Sequence, residues 1–192
     1  VKGGEIVGDI YGGVTYAAKS SGGNTVTITG GTLTGGTRPD GTLRGNVYGG
    51  YARGTDTSVE QNNVVNLGAD DGSYGANLTQ ATIYGGRTTA TGNTLNVKGK
   101  NMTVKTAGKF ENYTFYLGND VKDGDTLLTF AQAGGFDGDA TGWSKINLDA
   151  DTLHAWSTGK QRTNTITLLN AAGMTFTGAA NQRLLAVHDG ME

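Results

Sequence analysis

Residues 8 to 97 repeat the same pair of phrases three times. The first phrase is Asp9-Ile10-Tyr11-Gly12-Gly13, then Asn46-Val47-Tyr48-Gly49-Gly50, then Thr82-Ile83-Tyr84-Gly85-Gly86, with the tyrosines 37 and 36 residues apart. The second is Asn24-Thr25-Val26-Thr27-Ile28, then Asn63-Val64-Val65-Asn66-Leu67, then Asn93-Thr94-Leu95-Asn96-Val97. Self-similarity at a fixed period signals units that stack on one another, because one such unit cannot bury its apolar face alone.

Within the second phrase the period is two. Asn24, Val26 and Ile28 share one face of a strand, and Thr25 and Thr27 share the other. Asn63, Val65 and Leu67 keep that parity, as do Asn93, Leu95 and Val97. In-register parallel stacking then sets aliphatic on aliphatic. It also lets Asn24, Asn63 and Asn93 form a hydrogen-bonded amide ladder. Tyr11, Tyr48 and Tyr84 are expected one above another as a second column, since stacked rings gain about 0.5–1.5 kcal/mol per pair.

Glycine pairs (Gly12-Gly13, Gly22-Gly23, Gly30-Gly31, Gly35-Gly36, Gly49-Gly50 and Gly85-Gly86) punctuate the strands, and the expectation is that they supply positive φ at sharp bends. No stretch of twelve or more residues shows helical apolar spacing. Hairpins would need no match across 37 residues, whereas stacked coils do. The predicted fold is therefore all-β, a right-handed parallel β-helix (β-solenoid), each repeat holding two short coils or one large coil with a loop. Segments 51–62 and 68–80 are polar and of unequal length, and are expected to be loops on one side.

Composition bounds the function classes. The 192 residues include 34 Gly, 29 Thr, one Pro and no Cys, with a net charge of −2. Leu, Ile, Val and Phe total 37, so the core is thin, while the low net charge argues against disorder. A near-neutral chain lacks the basic footprint of a nucleic-acid binder. No apolar run approaches the roughly 18 residues of a membrane-spanning helix. Without Cys there is no disulfide or thiol chemistry. Opening at Val1 with no signal peptide, the chain reads as a piece of a longer one.

The composition shifts near residue 100. Residues 1–100 hold 23 glycines and 101–192 hold 11, and both tryptophans, Trp143 and Trp156, lie in the second part. Residues 1–100 are read as Gly/Thr/Asn-rich β-helix repeats. Residues 101–192 are read as an irregular, aromatic-richer capping region of coils or hairpins. Its expected strands are Tyr113–Leu117, Thr126–Phe130, Lys145–Leu148, Thr165–Leu169 and Leu184–Val187. Asp123-Gly124 is a candidate hairpin turn.

The Ile/Val-Tyr-Gly-Gly phrase, followed by Asn-Thr-Val-Thr-Ile and Gly-Gly turns, resembles the repeats of bacterial autotransporter (type V secretion) passenger domains over roughly residues 5–100. Phe110–Leu117 and Asp123–Thr129 look like the segments that follow the repeats in similar passengers, where larger aromatics close the end of the stack and help folding during export. The resemblance implies an adhesin-like segment at the bacterial cell surface or in the extracellular space. It also implies a longer chain carrying an outer-membrane barrel, with a host or bacterial surface protein or glycan as partner. The segment itself would span no membrane.

Candidate sites are few. Asp120 to Asp125, Asp137-Gly138-Asp139 and Asp149-Ala150-Asp151 are carboxylate clusters of a kind that can hold Ca²⁺. Neither an EF-hand loop nor the calcium nonapeptide accompanies them, so no metal or other cofactor is expected. His154 and His188 stand alone, with no nucleophile elbow. The equivalent positions Thr27, Asn66 and Asn96 carry no acid, and among Asp9, Asn46 and Thr82 only one does, so no carboxylate pair is set for glycoside cleavage. The reading is a structural and adhesive segment without catalysis. The alternatives are a glycan-binding or glycan-cleaving β-helix, and a tailspike-like or surface-array structural protein.

Overall fold

A computed structural model describes residues 1–16, 21–39, 41, 44–53, 60–89, 91–133, 136–137, 145–149, 151–152 and 165–171. The elements bounded within them are strands. In chain order these are β1 (Lys2–Val7), β2 (Ile10–Tyr11), β3 (Val14–Thr15), β4 (Thr25–Ile28), β5 (Gly30–Thr34), β6 (Asn46–Tyr48), β7 (Tyr51–Ala52) and β8 (Val64–Leu67). They continue with β9 (Gly75–Tyr84), β10 (Thr94–Lys98), β11 (Met102–Gly108), β12 (Asn112–Tyr116), β13 (Thr126–Phe130), β14 (Phe136–Asp137), β15 (Lys145–Leu148) and β16 (Thr167–Ala171).

Among the described residues every strand pairing is parallel. A five-stranded sheet runs β4-β8-β10-β12-β15 and a larger one runs β1-β5-β9-β11-β13-β16, both in chain order. Each pass of the chain therefore lays one strand beside the strand of the pass before, an all-β arrangement compatible with a β-helix. Parallel neighbours need a crossover, so Asp123-Gly124 makes no hairpin: β12 pairs with β10 and β15, and β13 with β11 and β16. Gly124 sits at φ 83° in a turn closed by the Asp125 N–H donating to the Lys122 carbonyl at 3.1 Å.

The register answers the question of repeat size. Tyr11 pairs directly with Tyr48, and Tyr48 with Tyr84, so one repeat is one pass with no strand between copies. Pass length then varies. Val26, Val65, Leu95, Tyr113 and Ile146 are successive partners. Their numbers are 39, 30, 18 and 33 residues apart. Part of the variation falls at one corner. Ten residues separate Gly13 from Asn24, twelve separate Gly50 from Asn63 and six separate Gly86 from Asn93, while Phe110 and Glu111 are adjacent.

Strand alternation sets the core. β4 alternates exposed and buried residues, and Val26, Ile28, Val65, Leu67, Leu95 and Val97 all face inward. They meet Leu33, Val47, Leu78, Ile83, Met102 and Val104 of the larger sheet in one cluster. Each such side chain contributes about 1.5–3 kcal/mol by leaving water. From residue 110 the interior turns aromatic. Phe110, Tyr113, Phe115 and Phe130 are buried, and Phe110 meets Tyr113 edge-on with centroids 5.6 Å apart. β15 lies beyond β12, so Tyr113 and Phe115 are enclosed by strands on both sides rather than lying at the rim.

Two further expectations need correction. Tyr51–Ala52 and residues 75–80, expected to be loop, are strand: the first is β7, with Ala52 buried, and the second begins the ten-residue β9, where Leu78 and Ala81 are buried although Asn77, Thr79 and Gln80 make the stretch look polar. The Tyr-Gly-Gly glycines do not sit at positive φ, although Gly23 and Gly31 do. They are needed for space. A Cβ on Gly49 would lie 2.6 Å from the Gly85 carbonyl oxygen and 2.8 Å from the Asn63 Cβ, and one on Gly85 would lie 2.6 Å from the Asn93 Cβ. A Cβ on Gly50 would meet the Asn63 amide at 2.7 Å. The two phrases of the repeat interlock: the glycines leave the room that the asparagines fill.

The expected strands at Thr126–Phe130 and Lys145–Leu148 coincide with β13 and β15, and Thr165–Leu169 overlaps β16. Leu184–Val187, both tryptophans, His154 and His188 lie outside the described residues.

Candidate functional site

The asparagines form a continuous ladder. The Asn24 side-chain Nδ2 donates to Asn63 Oδ1 at 2.9 Å, and the Asn24 backbone N–H shares that acceptor at 3.1 Å. Asn63 repeats the pattern on Asn93 Oδ1, with its backbone N–H at 2.9 Å and its Nδ2 at 3.1 Å. Asn63 Nδ2 also donates to the Ser21 carbonyl, and Asn93 Nδ2 to the carbonyls of Glu60, Thr89 and Lys109. Asn63 and Asn93 are fully buried. Burying a carboxamide is costly unless it is paired, and here each rung satisfies the next. A second ladder runs on the outer face: Asn96 Nδ2 donates to Asn66 Oδ1 at 2.8 Å, and Asn66 Nδ2 to Thr27 Oγ1 at 3.0 Å.

Tyr11, Tyr48 and Tyr84 stack on the outside of β2, β6 and β9, with centroids 5.3 and 5.1 Å apart and planes within 7° and 16°. Tyr51 packs edge-on against Tyr11 and Tyr48. Burial, with the neighbouring Tyr84 next in weight, raises the Tyr48 phenol well above its ordinary value. At the head of the column, Asp9 Oδ2 accepts from Arg38 Nη2 at 2.7 Å and from the Tyr11 hydroxyl at 3.0 Å. Asp9 Oδ1 takes the Gly45 and Asn46 backbone N–H groups at 3.0 Å each. Burial first, then the hydrogen bond to Asp9, raises the Tyr11 pKa. These contacts saturate the Asp9 carboxylate and make it a corner post.

Glu60, Glu111 and Asp125 are likewise spent on structural contacts. Glu60, fully buried, accepts from the Ala52 N–H at 3.1 Å, the Thr88 N–H at 3.1 Å and the Thr88 hydroxyl at 2.6 Å. No sequence spacing marks Glu60 for this role. Glu111 accepts from the Gly92 N–H at 2.7 Å and from Lys145 at 3.1 Å, which together lower its pKa. In the Asp120–Asp125 cluster a lysine stands where a cation would. Lys100 Nζ is 2.9 Å from Asp125 Oδ2 and 3.8 Å from Asp120 Oδ2. Its hydrogen bond, followed by the Lys122 N–H, lowers the Asp125 pKa. Asp139 and Ala150, within the other two clusters, lie outside the described residues. Among the described residues no group of three His, Cys, Asp or Glu is poised for a metal, and no helix is long and apolar enough to cross a membrane.

A groove crosses the outer face of the larger sheet. Arg44 and Asn46 lie at one end, Gln80, Thr82 and Tyr84 project from β9, and Lys105, Thr106 and Gln132 complete it around about 650 Å³. It coincides with a register shift, where Val104 pairs with Leu78 but Thr106 pairs with Thr82. β9 thus carries four residues against two on β11, and such irregularities bend a strand and re-aim its side chains. The Thr106 hydroxyl donates to Thr82 Oγ1 at 3.0 Å and ties the floor together.

Comparison with known proteins identifies no relative: no family model matches the chain, and neither the curated proteins nor the solved structures contain a match.

Proposed function

We propose that the chain is a structural and adhesive segment of a secreted or surface-displayed, autotransporter-like passenger, folded as a right-handed parallel β-helix and performing no catalysis. The observation that supports this reading is the run of in-register columns. The buried Asn24–Asn63–Asn93 ladder, the tyrosine stack and the outer Thr27–Asn66–Asn96 ladder bind each pass to the next along one direction. Columns of this kind make a stiff rod whose interior is committed to cohesion, leaving outer faces and corners to touch a partner. A mostly hydrogen-bonded, disulfide-free chain with little apolar mass also suits export in an unfolded state and stepwise folding outside.

The test is surface display. Bacteria carrying the chain fused to an outer-membrane barrel should adhere to host-cell layers, matrix proteins or one another more than cells carrying the barrel alone. In solution scattering, the isolated chain should give the profile of an elongated monomer. Equal adhesion with and without the chain across all those surfaces would overturn the adhesive part. A threefold assembly would favour the tailspike-like alternative.

A further inference from the structure

We propose that the groove on the outer face of the larger sheet binds an anionic polysaccharide, a sugar chain carrying carboxylate or sulfate groups. This goes beyond the adhesive reading by naming a site and a ligand class, and it stands or falls separately.

Shape comes first. The lining residues belong to four successive passes, from Arg44 and Asn46 through Gln80 and Lys105 to Gln132. At about 4.8 Å per strand spacing, the groove is roughly 14 Å long across the strands. Its volume falls within the ordinary range of ligand sites. A trough of that form suits a linear chain rather than a single ion.

Chemistry comes next. The groove presents two cations, Arg44 and Lys105, with the amides of Asn46, Gln80 and Gln132 and the hydroxyls of Thr82 and Thr106. No carboxylate is among its lining residues. Arg44 Nε is buried with no hydrogen-bond partner. That nitrogen is closed to solvent and to a ligand alike, so an incoming anionic oxygen would meet only the part of the Arg44 side chain that lines the groove. Guanidinium is well suited to that, since its fork matches carboxylate and sulfate geometry.

The backbone separates a sugar from a peptide. Peptides bind sheets along open edges, where unpaired N–H and C=O groups wait. Here β9 and β11 are interior strands, each paired on both sides. Only side-chain amides, hydroxyls and cations remain on offer, and these are the complement of a hydroxyl-rich, acidic chain.

Calorimetric titration of the 192-residue chain tests this. The probes are hexagalacturonate, a heparin-derived hexasaccharide, neutral maltohexaose and polyglutamate. At least one acidic sugar should bind, more weakly as salt rises, while maltohexaose and polyglutamate do not. Lys105→Gln should weaken binding about tenfold or more, and Arg44→Gln by at least as much. Lys98→Gln, on the opposite sheet, should leave it unchanged. Lys105 is half-buried and joins no described ion pair, so K105Q should melt with the wild type even if Arg44→Gln unfolds. The proposal is overturned if neither acidic sugar binds, if Lys105→Gln leaves affinity intact, or if maltohexaose or polyglutamate binds as tightly. None of those results would touch the adhesion measured by surface display.

Discussion

The third and fourth passes of the chain solve one packing problem in opposite ways. In the third, Tyr84 is followed by Gly85-Gly86, then a six-residue corner, then the buried Asn93. In the fourth, Gly108 pairs with Tyr84, so Lys109-Phe110 stand where the glycine pair stood. Asn112 pairs with Thr94, so Glu111 replaces the asparagine. Removing the asparagine frees interior space, and Phe110 turns in to occupy it. The corner then needs no residues, and the pass shrinks to 18. Glycine pair and asparagine are thus one coupled device, since each is useful only where the other is present.

That contrast can be broken most severely at the ladder. Asn63→Asp removes the two side-chain N–H donors that serve Ser21 and Asn93 and sets a carboxylate among buried acceptors. We expect a loss of about 3–5 kcal/mol in denaturant unfolding at pH 7. Burial raises the carboxyl pKa above its unfolded value, so the native state holds the extra proton and the loss should shrink as pH falls toward 4. A melting curve unchanged at pH 7 would remove Asn63 from the interior.

A smaller effect sharpens the comparison between passes. Gly49→Ala forces a Cβ against the Gly85 carbonyl and the Asn63 side chain, an overpacking worth about 1–3 kcal/mol. At the corresponding corner of the fourth pass, Lys109 already carries a side chain at φ 57°. Lys109→Gly should therefore be neutral or stabilise by up to about 1 kcal/mol. Equal losses at both sites would show that the corners differ only in sequence.

The smallest effect is on acid stability. Glu111 has a depressed carboxyl pKa in the folded state, through the Gly92 N–H and then Lys145. Its contribution is complete above the unfolded value of about 4.3 and is lost as pH falls through the folded one. Glu111→Gln should flatten the acid limb of a stability–pH curve without moving its neutral plateau by a comparable amount.

How much of this was legible in the sequence follows from the same packing. Asn24, Asn63 and Asn93 and the three tyrosines announce themselves because in-register stacking makes each copy the neighbour of the next. Lys145–Leu148 and Thr126–Phe130 were readable because apolar residues recur in short runs bounded by polar turns. The role of the glycines was not, since a residue chosen for a missing Cβ looks the same as one chosen for positive φ. The groove was hidden for another reason. Arg44, Gln80, Lys105 and Gln132 meet only because passes of unequal length bring them level, and no spacing along the chain encodes that. Glu60 likewise gains its backbone partners from across the fold, at Ala52 and Thr88.

The corner between the glycine pair and the asparagine holds from six to twelve residues in the three passes that have both, while the flanking ladders keep their register. Closing a longer loop costs only slowly more entropy, so such a corner can lengthen without loosening the column provided its anchors, Tyr51, Ala52 and Glu60 in the second pass, keep their contacts. Each such corner is a place where the chain can vary in length between neighbours whose register is fixed. New surface features would then arise at that corner by simple lengthening, with the amide column below left as it was.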